Sequence, residues 1–248
     1  GGLAGDAITT ATDSVALGYL ALTSTTTGIR NHAIGRQSLH NNTTGADNVG
    51  VGSSSLFANT TGFYNVAVGT DALVTNTTAS NNTAVGYAAL KLNTTGDLNV
   101  SLGASSMLDN TTGSRNVALG AYVLTNNTTA SFNTGVGDSS LGANTTGASN
   151  TAVGEGSLDA NTTADNNTAV GRDALGANTT GATNTAVGTS ALAANTTADN
   201  NTAVGYQAGY ANTTGTDNTA LGVKAMVTNT TGTLNVASGG SASKHNRF

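Results

Sequence analysis

The chain has 248 residues, of which 8% are charged, with a formal net charge of −5 and no cysteine, proline or tryptophan. Eight basic against thirteen acidic residues speak against a nucleic-acid partner, and the lack of cysteine removes disulfides from the stability account. Only 4% of residues are aromatic, so a core of large side chains is excluded and burial has to come from Ala, Val and Leu in thin layers.

In chain order, residues 1–13 fall outside the pattern that follows and are expected to form an N-terminal cap or junction. From Ser14 a unit of seventeen residues repeats almost without slippage. Asn31, Asn48, Asn65, Asn82, Asn99, Asn116, Asn133, Asn150, Asn167, Asn184, Asn201, Asn218 and Asn235 are evenly spaced. A fixed period of this length marks a solenoid, in which each repeat is one coil stacked on the last. Residues 14–239 are therefore expected to form an all-β parallel β-solenoid of thirteen coils plus a partial one. At about 4.8 Å per coil the stack would be a rod of roughly 60 Å. Abundant Val and Thr in strict placement favour order over disorder.

Within a coil, counting from Asn31 as position one, positions one to five read Asn-Thr/Val-Ala-Val-Gly. This is a short strand with a period of two. Positions two and four are the bulkier face (Val66 and Val68, Thr185 and Val187), with His32 the exception. Position nine adds an apolar column from Leu22 through Leu73 and Met107 to Leu192. Positions two, four and nine are the expected interior. The opposite face carries Asn, Ala and Gly. Such a face lets another backbone approach closely, and three solenoids packed by it would make a homotrimer.

Position five is glycine in every copy: Gly18, Gly35, Gly52, Gly69, Gly86, Gly103, Gly120, Gly137, Gly154, Gly171, Gly188, Gly205, Gly222 and Gly239. Fourteen in register predict a turn that needs positive φ or leaves no room for a Cβ. Charged residues such as Arg36, Asp71, Lys91, Asp138 and Asp173 occupy positions six, seven, ten, eleven, sixteen and seventeen, where the coil is expected to face water. Gly209 stands where leucine is expected, with Tyr210 beside it as the side chain to fill the gap.

An Asn-Thr-Thr triplet begins at position twelve in twelve copies: Asn42, Asn59, Asn76, Asn93, Asn110, Asn127, Asn144, Asn161, Asn178, Asn195, Asn212 and Asn229. The first copy has Thr25 in the Asn place. Three readings are open. Stacked amides would form an internal hydrogen-bonded ladder. Each triplet also matches the glycosylation acceptor pattern. A regular Thr array would order water as ice-binding solenoids do, although adjacent Thr residues on a strand point to opposite faces.

The stretch 240–248 ends in a basic segment and is expected to be a C-terminal cap or junction. His32, His40 and His245 have no repeated carboxylate partner and read as surface histidines. No nucleophile elbow, P-loop, paired acidic constellation or calcium nonapeptide appears, so neither an enzyme nor a cofactor is expected. No stretch approaches the roughly 18–20 apolar residues of a membrane span, so no membrane insertion by this segment is expected.

The strand Asn184-Thr185-Ala186-Val187-Gly188, varied as Ser14-Val15-Ala16-Leu17-Gly18 and Asn116-Val117-Ala118-Leu119-Gly120, resembles the head repeats of trimeric autotransporter adhesins (the YadA-like β-roll). Those heads carry a similar Asn-Ser-Val-Ala-Ile-Gly core. The unit is also similar to repeats of phage and bacterial fibre proteins that end in an endosialidase-type chaperone. The resemblance covers nearly the whole chain, although the Asn-Thr-Thr arm and the longer period depart from the usual adhesin head. It implies a left-handed β-roll, three chains to a rod, at a cell surface or in a virion fibre, with a host-surface or glycan receptor. No binding residue carries over. The expectation is a non-catalytic structural and adhesive fibre segment whose partner is itself. The alternatives are a self-assembling extracellular filament subunit and an ice- or glycan-binding solenoid.

Overall fold

The computed structural model describes residues 2–242. The chain divides into two units, residues 1–129 and 130–248, each a stack of seventeen-residue coils. Unit one holds β1 (Val15–Leu17), β2 (His32–Ile34), β3 (Val49–Val51), β4 (Val66–Val68), β5 (Thr83–Val85), β6 (Val100–Leu102) and β7 (Val117–Leu119). Unit two holds β8 (Thr134–Val136), β9 (Thr151–Val153), β10 (Thr168–Val170), β11 (Thr185–Val187), β12 (Thr202–Val204), β13 (Thr219–Leu221) and β14 (Val236–Ser238). Within each unit every strand pairs in parallel with the next in sequence, with equivalent residues side by side: Val66 faces Val49 and Thr83, and Thr185 faces Thr168 and Thr202. No helix occurs among the described residues.

The strand is only three residues long because glycine stops it. Gly86 has φ +134°, and a Cβ there would lie 2.5 Å from the Gly103 carbonyl oxygen of the next coil. Position five is thus closed to side chains twice over, by backbone conformation and by the neighbouring backbone. Position seven then takes a left-handed conformation, as do positions nine and seventeen: Asp71, Leu73 and Asn81 have φ 59°, 51° and 60°. A left-handed non-glycine residue costs about 1–3 kcal/mol, and a fully buried leucine contributes about 1.5–3 kcal/mol, so the leucine column offsets its own strain. Main-chain bonds tie each turn to its neighbours: Gly69 N–H donates to Val51 O (2.7 Å), Asp71 N–H to Ser53 O (3.0 Å) and Leu73 N–H to Ala89 O (3.0 Å).

The interior is the reverse of the sequence expectation on the strand. Position three is inside (Ala33, Ala67, Ala118, Ala152 and Ala186 are 0% exposed), while positions two and four point outward and are half-buried or exposed. The Leu22 to Leu192 column is inside, as expected. The physical reason is width. A Cβ on Gly50 would already lie 2.5 Å from Ser38 Oγ and 3.5 Å from Leu39 Cγ, so positions eight and nine leave space only for a small side chain, glycine, alanine or serine. The alanine face therefore cannot be a contact between copies, because it is filled by the coil's own leucines.

Residues 3–13 continue the stack. Leu3 and Asp13 repeat the left-handed positions seven and seventeen (φ 61° and 57°), and Gly5 N–H donates to Ala21 O at 2.9 Å, as Leu22 N–H does to Ser38 O at 3.1 Å. The register was hidden because Gly5, Ile8 and Ala11 stand at the inward positions. Gly209 keeps the left-handed turn (φ +61°), and Leu192 of the preceding coil leans into the vacated space, 2.9 Å from where a Cβ would be. Tyr210 is exposed and fills nothing. The segment expected as a C-terminal cap, 240–248, is described to Ala242, where Met226 N–H donates to Ala242 O (2.8 Å); residues 243–248, with His245, lie outside the described residues.

Candidate functional site

The polar side chains of the coil are consumed first by two inner asparagine columns. Asn59 Nδ2 donates to Asn42 Oδ1 of the preceding coil (2.9 Å) and to Gly62 O (3.1 Å). At position one, Asn48 Nδ2 donates to Asn31 Oδ1 (3.1 Å) and to the same Gly62 oxygen (2.8 Å), and Asn48 N–H adds a third bond to Asn31 Oδ1 (3.1 Å). Unit two repeats this: Asn161 donates to Asn144 Oδ1 (2.8 Å) and, with Asn150, to Ala164 O. Each column begins on a hydroxyl, Ser14 Oγ accepting from Asn31 N–H and Thr25 Oγ1 from Asn42 Nδ2.

Ten of the triplet asparagines, Asn42 to Asn195, are 0% exposed, and Asn212 is 2% exposed. An attached glycan and this interior exclude one another, since the amide nitrogen that would carry the sugar faces the inside of the coil. Asn229, at the last full coil, is half-buried and makes the same two bonds. A concave spot lined by Met226, Thr228, Asn229, Thr230, Thr231, Gly232 and Asn235 lies there.

The two threonines of the triplet part ways. Thr43 Oγ1 donates to Thr60 O (3.0 Å), an oxygen that also takes the N–H groups of Thr43, Thr44 and Gly45 (2.9, 3.2 and 3.3 Å). Thr44, like its equivalents in every coil, points into solvent. The array thus offers water one free hydroxyl column, not the paired columns of a flat Thr-x-Thr face.

Position sixteen has a role the sequence reading missed. Asp97, Asp165 and Asp199 each accept the N–H of position sixteen one coil earlier: Ser80, Ala148 and Ala182, at 2.6, 2.6 and 2.7 Å. Ser80 Oγ does the same for Phe63 N–H (3.2 Å). The signal available was the restriction of this position to Asp and Ser in four consecutive coils, Ser80, Asp97, Ser114 and Ser131, with Asp again at 165 and 199.

His32 is exposed on β2, whereas His40 stacks on Phe57 (centroids 5.1 Å apart) and its Nδ1 meets Asn41 Oδ1 at 2.7 Å. Arg30 clasps Asp47 with two bonds of 2.6 and 2.8 Å, which lowers the Asp47 carboxyl pKa. Desolvation, then the charges of Asp138 and Asp173, raise the Asp159 carboxyl pKa. Among the described residues no three His, Asp or Glu side chains group as metal ligands.

What remains is the outward strand face: two columns per unit, one residue from position two and one from position four, about 6.6 Å apart along the strand and about 4.8 Å from coil to coil. Apart from His32 it holds no titratable group from β1 to β13. Val15, Leu17, Ile34, Leu102, Val204 and Leu221 are 39–58% exposed on it. Comparison with protein-family models, with characterised proteins and with solved structures gives no match.

Proposed function

We propose that the chain is a non-catalytic structural and adhesive segment of an extracellular surface or tail fibre, working as a parallel homotrimer of left-handed β-rolls. The observation that carries this reading is the outward strand face: in unit one it is apolar apart from His32 and Thr83, and in unit two it carries no titratable group from β8 to β13, while the inner asparagines are spent on their own ladders. Contiguous apolar surface of this kind marks an interaction site. The contact between copies falls on positions two and four, not on the alanines. The likeness of the strand sequence to trimeric adhesin heads supports the same state.

Receptor contact then falls to the variable turns. Tyr19, Tyr87, Tyr122 and Tyr206 project there, 47–60% exposed, as rings on which a glycan or host-surface group can stack. Sedimentation velocity and native mass on the full chain test the assembly. Three copies are expected; a single copy at every concentration would contradict the reading.

A further inference from the structure

The outward face is not uniform along the chain. In unit one, position two is Val15, Val49, Val66, Val100 and Val117, with only His32 and Thr83 differing. In unit two it is threonine in all six coils from Thr134 to Thr219. Position four shows the same trend. Four of seven residues in unit one are larger than valine (Leu17, Ile34, Leu102 and Leu119), against Leu221 alone in β8–β13. The backbone register is the same in both units, so the difference lies in side chains that point away from the coil's own core. Folding does not demand it, since Thr and Val suit a strand equally and Thr83 sits among the valines without disturbing the pairing.

Resting on the trimer reading, we infer that the copies are held together through the valine-rich face of unit one, coil against equivalent coil, and that the threonine face of unit two is not the adhesive part of the contact. Three physical points carry this. The fourteen side chains of β1–β7 leave on the order of 700 Å² for a partner, against about 800 Å² per partner in a standard interface. The face carries no charge to steer a partner of opposite sign; its only titratable group is His32. Its ridges recur at the coil spacing, and only a surface with the same period can interdigitate with them along seven coils. A second copy of this chain has that period. From β8 to β13 each position-two residue presents a hydroxyl, and burying it without a partner costs free energy where the valine methyl gains it.

The test compares paired substitutions in the full chain, read by sedimentation equilibrium with circular dichroism as the folding control. Val66→Lys with Val100→Lys is expected to weaken association about 100-fold or more, and Thr168→Lys with Thr202→Lys by less than about threefold. A triple exchange of Val66, Val100 and Val117 to Thr is expected to weaken it about tenfold. Its side chains are native to this position in unit two, so it decides the matter if the lysine pair perturbs folding. Equal effects of the two lysine pairs, a larger effect in unit two, or no effect of either overturns the inference while leaving the trimer standing. A wild-type chain that stays monomeric removes the trimer and the inference with it.

Discussion

Substituting Gly86 by alanine isolates the constraint that gives the coil its shape. The residue sits at φ +134°, and the new Cβ would lie 2.5 Å from Gly103 O, 2.7 Å from Gly103 C and 3.2 Å from Ala104 N. All three are main-chain atoms of the next coil, so no rotamer change relieves the clash. Forcing a side chain into this glycine-only region costs about 1–3 kcal/mol. Pushing a packed neighbour aside costs about 1–3 kcal/mol more. The two effects act on different atoms, so Gly86→Ala should destabilise by about 2–6 kcal/mol. Gly45→Ala is the control. A Cβ there would also crowd main chain, 2.4 Å from Gly62 O, but φ is not positive and Ala79, Ala130, Ala164 and Ala198 occupy the same position naturally. It should cost less than about 1 kcal/mol. Guanidinium denaturation followed by circular dichroism measures both, with midpoints compared at equal slope. A Gly86→Ala variant as stable as wild type, or no worse than Gly45→Ala, would refute the reasoning.

The inner ladder should respond as a buried network. Asn161→Ala removes the amide that serves Asn144 Oδ1 and Ala164 O and the oxygen that takes Asn178 Nδ2, and should cost about 2–4 kcal/mol in the same denaturation assay. Asp165→Ala uncaps the Ala148 N–H and should cost about 1 kcal/mol, a loss that Asp165→Ser largely restores because serine fills this place elsewhere. Asp159 has a raised folded pKa, so its favourable contribution is present below the unfolded pKa and is lost as pH rises through the folded pKa. Asp159→Asn should therefore raise the melting temperature at pH 7 and leave it unchanged at pH 3; the opposite trend would mean that neither desolvation nor the charges of Asp138 and Asp173 governs this carboxyl.

The period, the parallel register and the glycine turn were legible because each places one residue type at one position in every coil. Gly18 to Gly239 announce a conformation no other residue takes, and the even spacing of Asn31 to Asn235 announces stacking. The orientation of the strand was not legible from side-chain size. Val66 and Val68 are larger than Ala67, and preference for burying the larger face pointed the wrong way. The narrow interior decided it, and its trace in the sequence is a ceiling: position three never exceeds serine and position eight never exceeds valine. The left-handed turn at Leu73 and its equivalents left no trace, because leucine carries no preference for that conformation; packing imposes it. The Asp97, Asp165 and Asp199 caps were read as solvent-facing charge because their acceptor role depends on the coil before them.

Cysteine labelling in unit two tests the inside-out arrangement of the coil most directly, since the chain has no cysteine of its own. Thr185→Cys, Ala186→Cys and Val187→Cys are reacted one at a time with a maleimide under native conditions; Ser101, buried at the position of Ala186, shows that an atom of this kind fits there. The account predicts fast labelling at 185 and 187 and protection at 186 until the protein is unfolded. Protection at 185 and 187 with fast labelling at 186 would contradict it.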